Sequence, residues 1–286
     1  MLLNDLFFEL YLPHKPATSA RTITLYKGSL KKFGQWLGHR PNIDDFDDTK
    51  LGRYLSACFQ SGNSAATCNK ERNHLLALWR FANRKGLVDL GPTVQPLKEP
   101  VKVPTALTVG QLKQLHLAFD TLQGTTAGIQ NSDFLRACFS IQYTTAARIG
   151  AVLQLEFSDV RGDVITFRAE TRKGGRRPIV KAVPQFVLDH LERISKPKRD
   201  RIFPIEKTNQ TKVQLLYKRL FERAGVPRPK GKSSHLLRST HATLLELAGG
   251  DATKSLGHSS RETTIKSYLD PRHDADRSCD MLPEIE

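Results

Sequence analysis

Cysteine is scarce in this 286-residue chain: four residues, Cys58, Cys68, Cys138 and Cys279, with no C-x-x-C spacing among them. Neither a disulfide framework nor a zinc site is indicated, and a reducing cytoplasm is the expected compartment. Long apolar runs are missing too. Nothing approaches the roughly 20 residues needed to cross a bilayer, so no membrane association is expected. The opening "MLLNDLFFELYLPHK" carries Asp5 and Glu9 early and has no basic leader or small-residue cleavage site, so it does not read as a signal peptide. Acidic side chains are the third shortage. The chain has 29 Asp and Glu against 44 Lys and Arg, a net charge of +15. Such an excess favours a polyanionic partner, because clustered Lys and Arg displace counterions from a phosphate backbone. Net charge alone does not separate DNA from RNA or a membrane surface. Low-complexity tracts are absent, and 39% hydrophobic with 26% charged residues is the balance of a folded chain.

What is present falls into two parts. From residue 2 to about 90 the pattern is helical, in four pieces. "LLNDLFFELYL" stops at Pro13; "SARTITLYKGSLKKFGQWLG" sets Ile23, Tyr26, Leu30, Phe33 and Leu37 at spacings of three and four, one buried stripe. "DDTKLGRYLSACFQSG" begins on capping aspartates and ends at Gly62, and "SAATCNKERNHLLALWRFANRKG" runs from a serine cap to Gly86 with Leu75, Leu78, Trp79 and Ala82 facing inward. The outward faces of this bundle hold Arg21, Lys27, Lys31, Lys32, Lys70, Arg72, Arg80, Arg84 and Lys85, of which Lys27, Lys31 and Arg72 are the chosen candidates for gripping a nucleic-acid backbone. Pro92, Pro96, Pro100 and Pro104 then mark an extended, semi-stiff connector. The expected organisation is a helical domain over 1–91, a linker over 92–104 and a second domain over 105–286.

The second part opens with a capped helix, "TVGQLKQLHLAFD", and continues in one long apolar helix, "DFLRACFSIQYTTAARIGAVLQLEF". Next, "DVITFRAETRKGGRRPIVKAVP" alternates on either side of Gly-Gly and reads as a β-hairpin with a basic tip. Helices return at "QFVLDHLERIS", "QTKVQLLYKRLFERAG" and "HLLRSTHATLLELAG". The fold class is therefore mainly α with a small antiparallel β-sheet (α+β).

Taken singly, the polar residues of this half are ordinary. Arg148 follows the small residues "TTAA"; Lys173 sits at the hairpin tip; His235 and Arg238 share a helix face at i and i+3; His258 lies in "LGHSS" and Tyr268 in "KSYLDP". As an ordered set, Arg148, Lys173, H-x-x-R at 235 and 238, L-G-H ending at 258, and Tyr268 ten residues on resembles the active-site series of the tyrosine recombinases, the phage integrase family. The resemblance covers residues 105 to 275, and the helical first part resembles that family's core-binding domain.

The resemblance implies a site-specific DNA recombinase, an enzyme of DNA integration and mobile elements. It cuts and rejoins duplex target sites through a 3′-phosphotyrosyl intermediate and a Holliday junction, as a homotetramer on two duplexes. Tyr268 is then the nucleophile, Arg148 and Arg238 clamp the scissile phosphate, His258 donates a hydrogen bond to it, His235 takes the tyrosine proton, and Lys173 is the general acid. Arg172, Arg176 and Arg177 flank that lysine as DNA contacts, and Lys181 lies on the return strand. The chemistry supports these residue types: a phenol, whose ordinary pKa is about 10, needs a base or surrounding cations to attack. Two arginine forks meet the negative charge of the transition state, and a lysine can protonate the leaving 5′ oxygen. The ester stores the bond energy, so no ATP, metal or other cofactor is implied.

The chain departs from the family pattern at Ala151, where an acidic residue commonly buttresses the site, and in the spacing around His258. His241 and His273 match no role and read as surface or packing residues. Two other functions share parts of the pattern: a type IB topoisomerase, and a DNA-binding or architectural protein on a catalytically decayed scaffold.

Overall fold

The computed structural model describes residues 1–171, 177–196, 199–205, 210–228 and 233–274. The chain divides into two units, Met1–Val101 and Lys102–Glu286, and is mainly helical with two small antiparallel sheets.

In the first unit, α1 (Leu3–Asp5) widens into a π-helical turn over Leu6–Tyr11 and stops in a short turn containing Pro13. Each of the next three helices starts on a side-chain cap. Ser19 accepts from Thr22 N to open α2 (Ala20–Leu37), Asp47 from Lys50 N to open α3 (Asp48–Gln60), and Ser64 from Thr67 N to open α4 (Ala65–Arg84). Gly38, at φ +80°, closes α2 in the left-handed conformation that side chains resist. The stripes turn inward as their spacing requires. Leu30 and Phe33 of α2 meet Leu51, Tyr54 and Leu55 of α3 and Leu75, Leu78, Trp79 and Ala82 of α4 in one core that also holds Cys68.

Helix α4 holds much of the proline-rich segment down. Trp79 Nε1 donates to Leu90 O at 2.7 Å, Arg72 to Val94 O through Nε at 2.9 Å, and Asn69 brackets Leu97, donating to its carbonyl and accepting its amide, both at 2.8 Å. Asp48 of α3 takes the Thr93 amide at 2.9 Å. Proline removes amide donors but leaves carbonyls to be satisfied, and these side chains satisfy them.

The second unit is built around one buried helix. After α5 (Val109–Ala118), opened by a capping box of Thr108 and Gln111, a two-stranded turn, β1 (Thr125–Thr126) with β2 (Ile129–Gln130), leads into α6 (Asn131–Thr145). Phe134, Leu135, Ala137, Cys138 and Ile141 of α6 are fully enclosed, as expected of a helix apolar on most sides. The long helix read from the sequence is not continuous, however. It breaks at Ala146, in the left-handed region at φ +55°, and restarts as α7 (Ile149–Val152). Gln142 fixes the break: its Nε2 donates to Ala147 O at 3.2 Å, while Tyr217 Oη donates to its Oε1 at 2.7 Å.

The expected hairpin is present as β4 (Val164–Phe167) and β5 (Ile179–Ala182), paired antiparallel with Phe167 opposite Ile179 and Ile165 opposite Lys181. A further strand, β3 (Val160–Arg161), adds to its edge. Then follow α8 (Gln185–Ile194), α9 (Gln210–Arg223), α10 (Ser233–Leu247), α11 (Ala252–Leu256) and α12 (Arg261–Tyr268), with α8, α9 and α10 packed on α6. Cys138 lies at the heart of this core, and burial pushes its thiol pKa well up; burial raises that of Cys68 in the first unit as well.

Candidate active site

The break after α6 and the start of α10 face each other, and Arg238 joins them. Only 4% exposed, its guanidinium donates through Nη1 to Ala146 O and through Nη2 to Leu256 O at 2.9 Å. A helix running through residue 146 would have kept that carbonyl for its own ladder. The left-handed turn releases it, and it then takes a charged donor. Arg148 stands two residues on, exposed, at the N-cap of α7.

His258 follows the end of α11, where Gly257 turns left-handed at φ +66°. Its Nε2 lies 3.2 Å from Arg238 Nη2 and its Nδ1 3.0 Å from Thr264 Oγ1. A guanidinium only donates, so Nε2 accepts; the neutral ring then carries its proton on Nδ1 and donates it to Thr264. Burial first, and then the charges of Arg238 and Arg148, hold the His258 pKa down at about 4. The ring expected to donate to a phosphate accepts from Arg238 in this structure.

Tyr268 ends α12 and is 7% exposed. Its ring lies 5.2 Å from that of His235, 4.8 Å from that of His258, and 5.2 Å from the Arg238 guanidinium carbon. A small apolar cluster of Ala146, Ala242, Ala252 and Leu256 supports it. The backbone beyond is tied as well. Thr243 Oγ1 donates to Tyr268 O at 3.3 Å and accepts from Asp270 N at 3.0 Å, and the Asp270 carboxylate accepts from Ala106 N at 2.8 Å. Asp270 is buried, which alone would raise its pKa, but the bonds from Arg272 and Ala106 outweigh this and hold it at about 2.

Five of the six expected site residues thus converge: Arg238, His258, Tyr268 and His235 in direct contact, and Arg148 within electrostatic range of His258. Lys173 lies outside the described residues, as do Arg172 and Arg176, whereas Arg177 is described and exposed. In the first unit Lys27 and Lys31 are exposed and line one groove with Arg40, Lys27 over the Phe8 ring. Arg72 differs from expectation: its guanidinium is turned onto Val94 O, and partial burial lowers its pKa.

Sequence reasoning missed Thr264, Asp270 and Ser255, whose residue types carry no signal by themselves. It also set aside His241, although three residues from Arg238 is one helical turn. His241 is half-buried, with Nδ1 2.7 Å from Tyr143 O and Nε2 2.8 Å from Ser255 Oγ. Among the described residues no three metal-ligating side chains gather, and no helix is long and apolar enough to cross a membrane.

Residues 106–274 match the model of the phage integrase family, and residues 6–86 match that of the phage integrase N-terminal SAM-like domain. The chain is 24% identical over 303 residues to tyrosine recombinase XerC of Lactobacillus delbrueckii subsp. bulgaricus, covering 96% of each protein. A longer relative from Pseudomonas aeruginosa is 24% identical over 282 residues, which span 87% of this chain and 65% of that protein. A solved structure of a lambda integrase dimer bound to a COC′ core site superposes with a TM-score of 0.71 at 18% identity, covering 100% of this chain and 99% of that one.

Proposed function

The chain belongs to the phage integrase family of tyrosine recombinases, and from that premise we propose that it cuts and rejoins duplex DNA at specific sites through Tyr268. The observation that carries the reading is the contact of the Tyr268 ring with the tilted rings of His235 and His258 and with the Arg238 guanidinium over its face, all within one chain. Nucleophile, proton acceptor and phosphate clamp are then assembled in cis.

In this reading Tyr268 Oη attacks the scissile phosphorus while its proton passes to His235. The bond to the 5′ oxygen breaks, Lys173 protonates that oxygen, and a 3′-phosphotyrosyl ester remains. Arg148 and Arg238 meet the charge on the non-bridging oxygens. The arriving phosphate also changes His258. Its negative charge offsets the Arg238 and Arg148 charges that, after burial, depress the ring's proton affinity. His258 then becomes a donor only once DNA is bound. The reverse attack by a 5′ hydroxyl of another strand rejoins the backbone, and four protomers on two duplexes carry out the exchange. The helical domain over 1–91, with Lys27 and Lys31, grips the duplex backbone, and Arg172, Arg176 and Arg177 contact DNA from the hairpin.

The test begins with duplexes selected by the protein from a random-sequence library. A selected duplex nicked near the cleavage point should trap a covalent protein–DNA complex. Tyr268→Phe should bind the same duplex and trap none. Duplex binding by wild type without any covalent complex would leave the decayed DNA-binding protein as the better reading.

A further inference from the structure

His241 and Lys181 have no part in the chemistry above, yet they meet at one side chain. His241 Nδ1 faces the Tyr143 carbonyl, which can only accept, so Nδ1 carries the proton. The neutral ring accepts at Nε2, and the Ser255 hydroxyl 2.8 Å away donates to it. Lys181 Nζ donates to Ser255 O at 2.9 Å and to Ser255 Oγ at 3.2 Å. Every direction is fixed, running from ammonium to hydroxyl to imidazole to carbonyl. The ring's neutrality agrees with its surroundings. Burial, and then the Lys181 and Arg238 charges, outweigh the Tyr143 bond and push the His241 pKa below its ordinary value.

This relay joins β5, α11, α10 and α6, and it passes through the end of α11, which also holds Arg238. Two consecutive carbonyls at the end of α11 each take a cation: Ser255 O takes Lys181 and Leu256 O takes Arg238. His258 follows two residues later. Five residues of helix have little stability of their own, so the position of α11 is set by what it is bonded to. Lys181 and Arg238 also repel, which lowers the Lys181 pKa after burial has done so first. Ser255 is therefore the anchor that keeps the ammonium in place.

We propose that Lys181, Ser255 and His241 are positioning residues that fix the end of α11, and through it hold Arg238 and His258 in place for the scissile phosphate. The activity arm of this proposal rests on the strand-cleavage reading; the geometric arm does not. Lys181→Met, Ser255→Ala and His241→Phe each remove one polar link and nearly preserve volume, and Ser255→Ala changes a single hydroxyl. Their expected effects are read in the full-length protein by ¹⁵N-histidine NMR and by single-turnover cleavage of a selected nicked duplex.

In each variant the His258 titration midpoint should rise from about 4 toward the ordinary histidine range as its contact with Arg238 loosens. Cleavage should fall about tenfold or more with duplex affinity within about twofold, the size expected when a hydrogen bond to a charged group is lost. Lys181→Arg, which keeps donors, should retain most of the rate. The Lys181→Met, His241→Phe double variant should be no worse than the poorer single one, because both break one chain. An unchanged His258 titration in all three variants would overturn the proposal. So would restoration of Lys181→Met cleavage by a 5′-bridging sulfur, which leaves without a proton donor and would make Lys181 a catalytic acid. A midpoint that moves in a protein forming no Tyr268 adduct would sustain the positioning role and sink the strand-cleavage reading alone.

Discussion

Arg238 ties together three segments that lie far apart along the chain. Its place in H-x-x-R gave the phosphate clamp as an expectation, but the carbonyls and imidazole it bonds in the free protein come from residues 146, 256 and 258, separations no local pattern reports. Replacing it with alanine should leave duplex affinity largely intact and lower single-turnover cleavage by about two to three orders of magnitude, as for a lost transition-state donor. Equal loss of binding and cleavage would reduce it to a DNA contact.

Ala146 is the second telling residue. Left-handed backbone costs a non-glycine residue about 1–2 kcal/mol, yet its methyl packs fully buried beside Ala242, Leu256 and Tyr268. Ala146→Gly should therefore change stability by less than about 1 kcal/mol, relief of strain offsetting lost packing, whereas Ala146→Val should destabilise strongly. Chemical denaturation of the two variants checks both magnitudes.

At the level of elements, helix starts were legible because caps are local. Ser19, Asp47, Ser64 and Thr108 accept the amides their positions predict. The break between α6 and α7 was not legible, since "TTAA" holds no glycine or proline to mark a stop and the turn is set by Gln142 and Arg238, the latter 92 residues from Ala146. Nor was the binding of residues 90–99 to the first unit, because an inward tryptophan and an outward arginine on α4 carry no sign of the carbonyls they will meet. Asn69→Ala should cost about 1–3 kcal/mol through the unsatisfied Leu97 amide and carbonyl, and hydrogen exchange at Leu97 should quicken beyond the change expected from stability alone.

Across the whole molecule, the pH dependence of stability should fall in two windows. His258, His241, His74 and His190 all have pKa values pushed below the ordinary histidine range, by burial first in each case. Between the folded and unfolded values the unfolded chain binds more protons, so stability falls as pH drops from about 6.5 toward 4. Below about 4 a second loss follows, as Asp270, Glu71 and Glu246, whose folded pKa values are depressed, take up protons. Melting temperature against pH should show both declines, with His258→Asn making the first one shallower.

The same scale holds a practical consequence of the two buried thiols. Cys68 lies in the core of one unit and Cys138 in the core of the other. With Cys58 and Cys279 changed to serine, a thiol-alkylating reagent would tag each core only when it opens. Peptide mass spectrometry would then read two opening rates from one sample, and show whether the halves of the protein come apart together or one at a time.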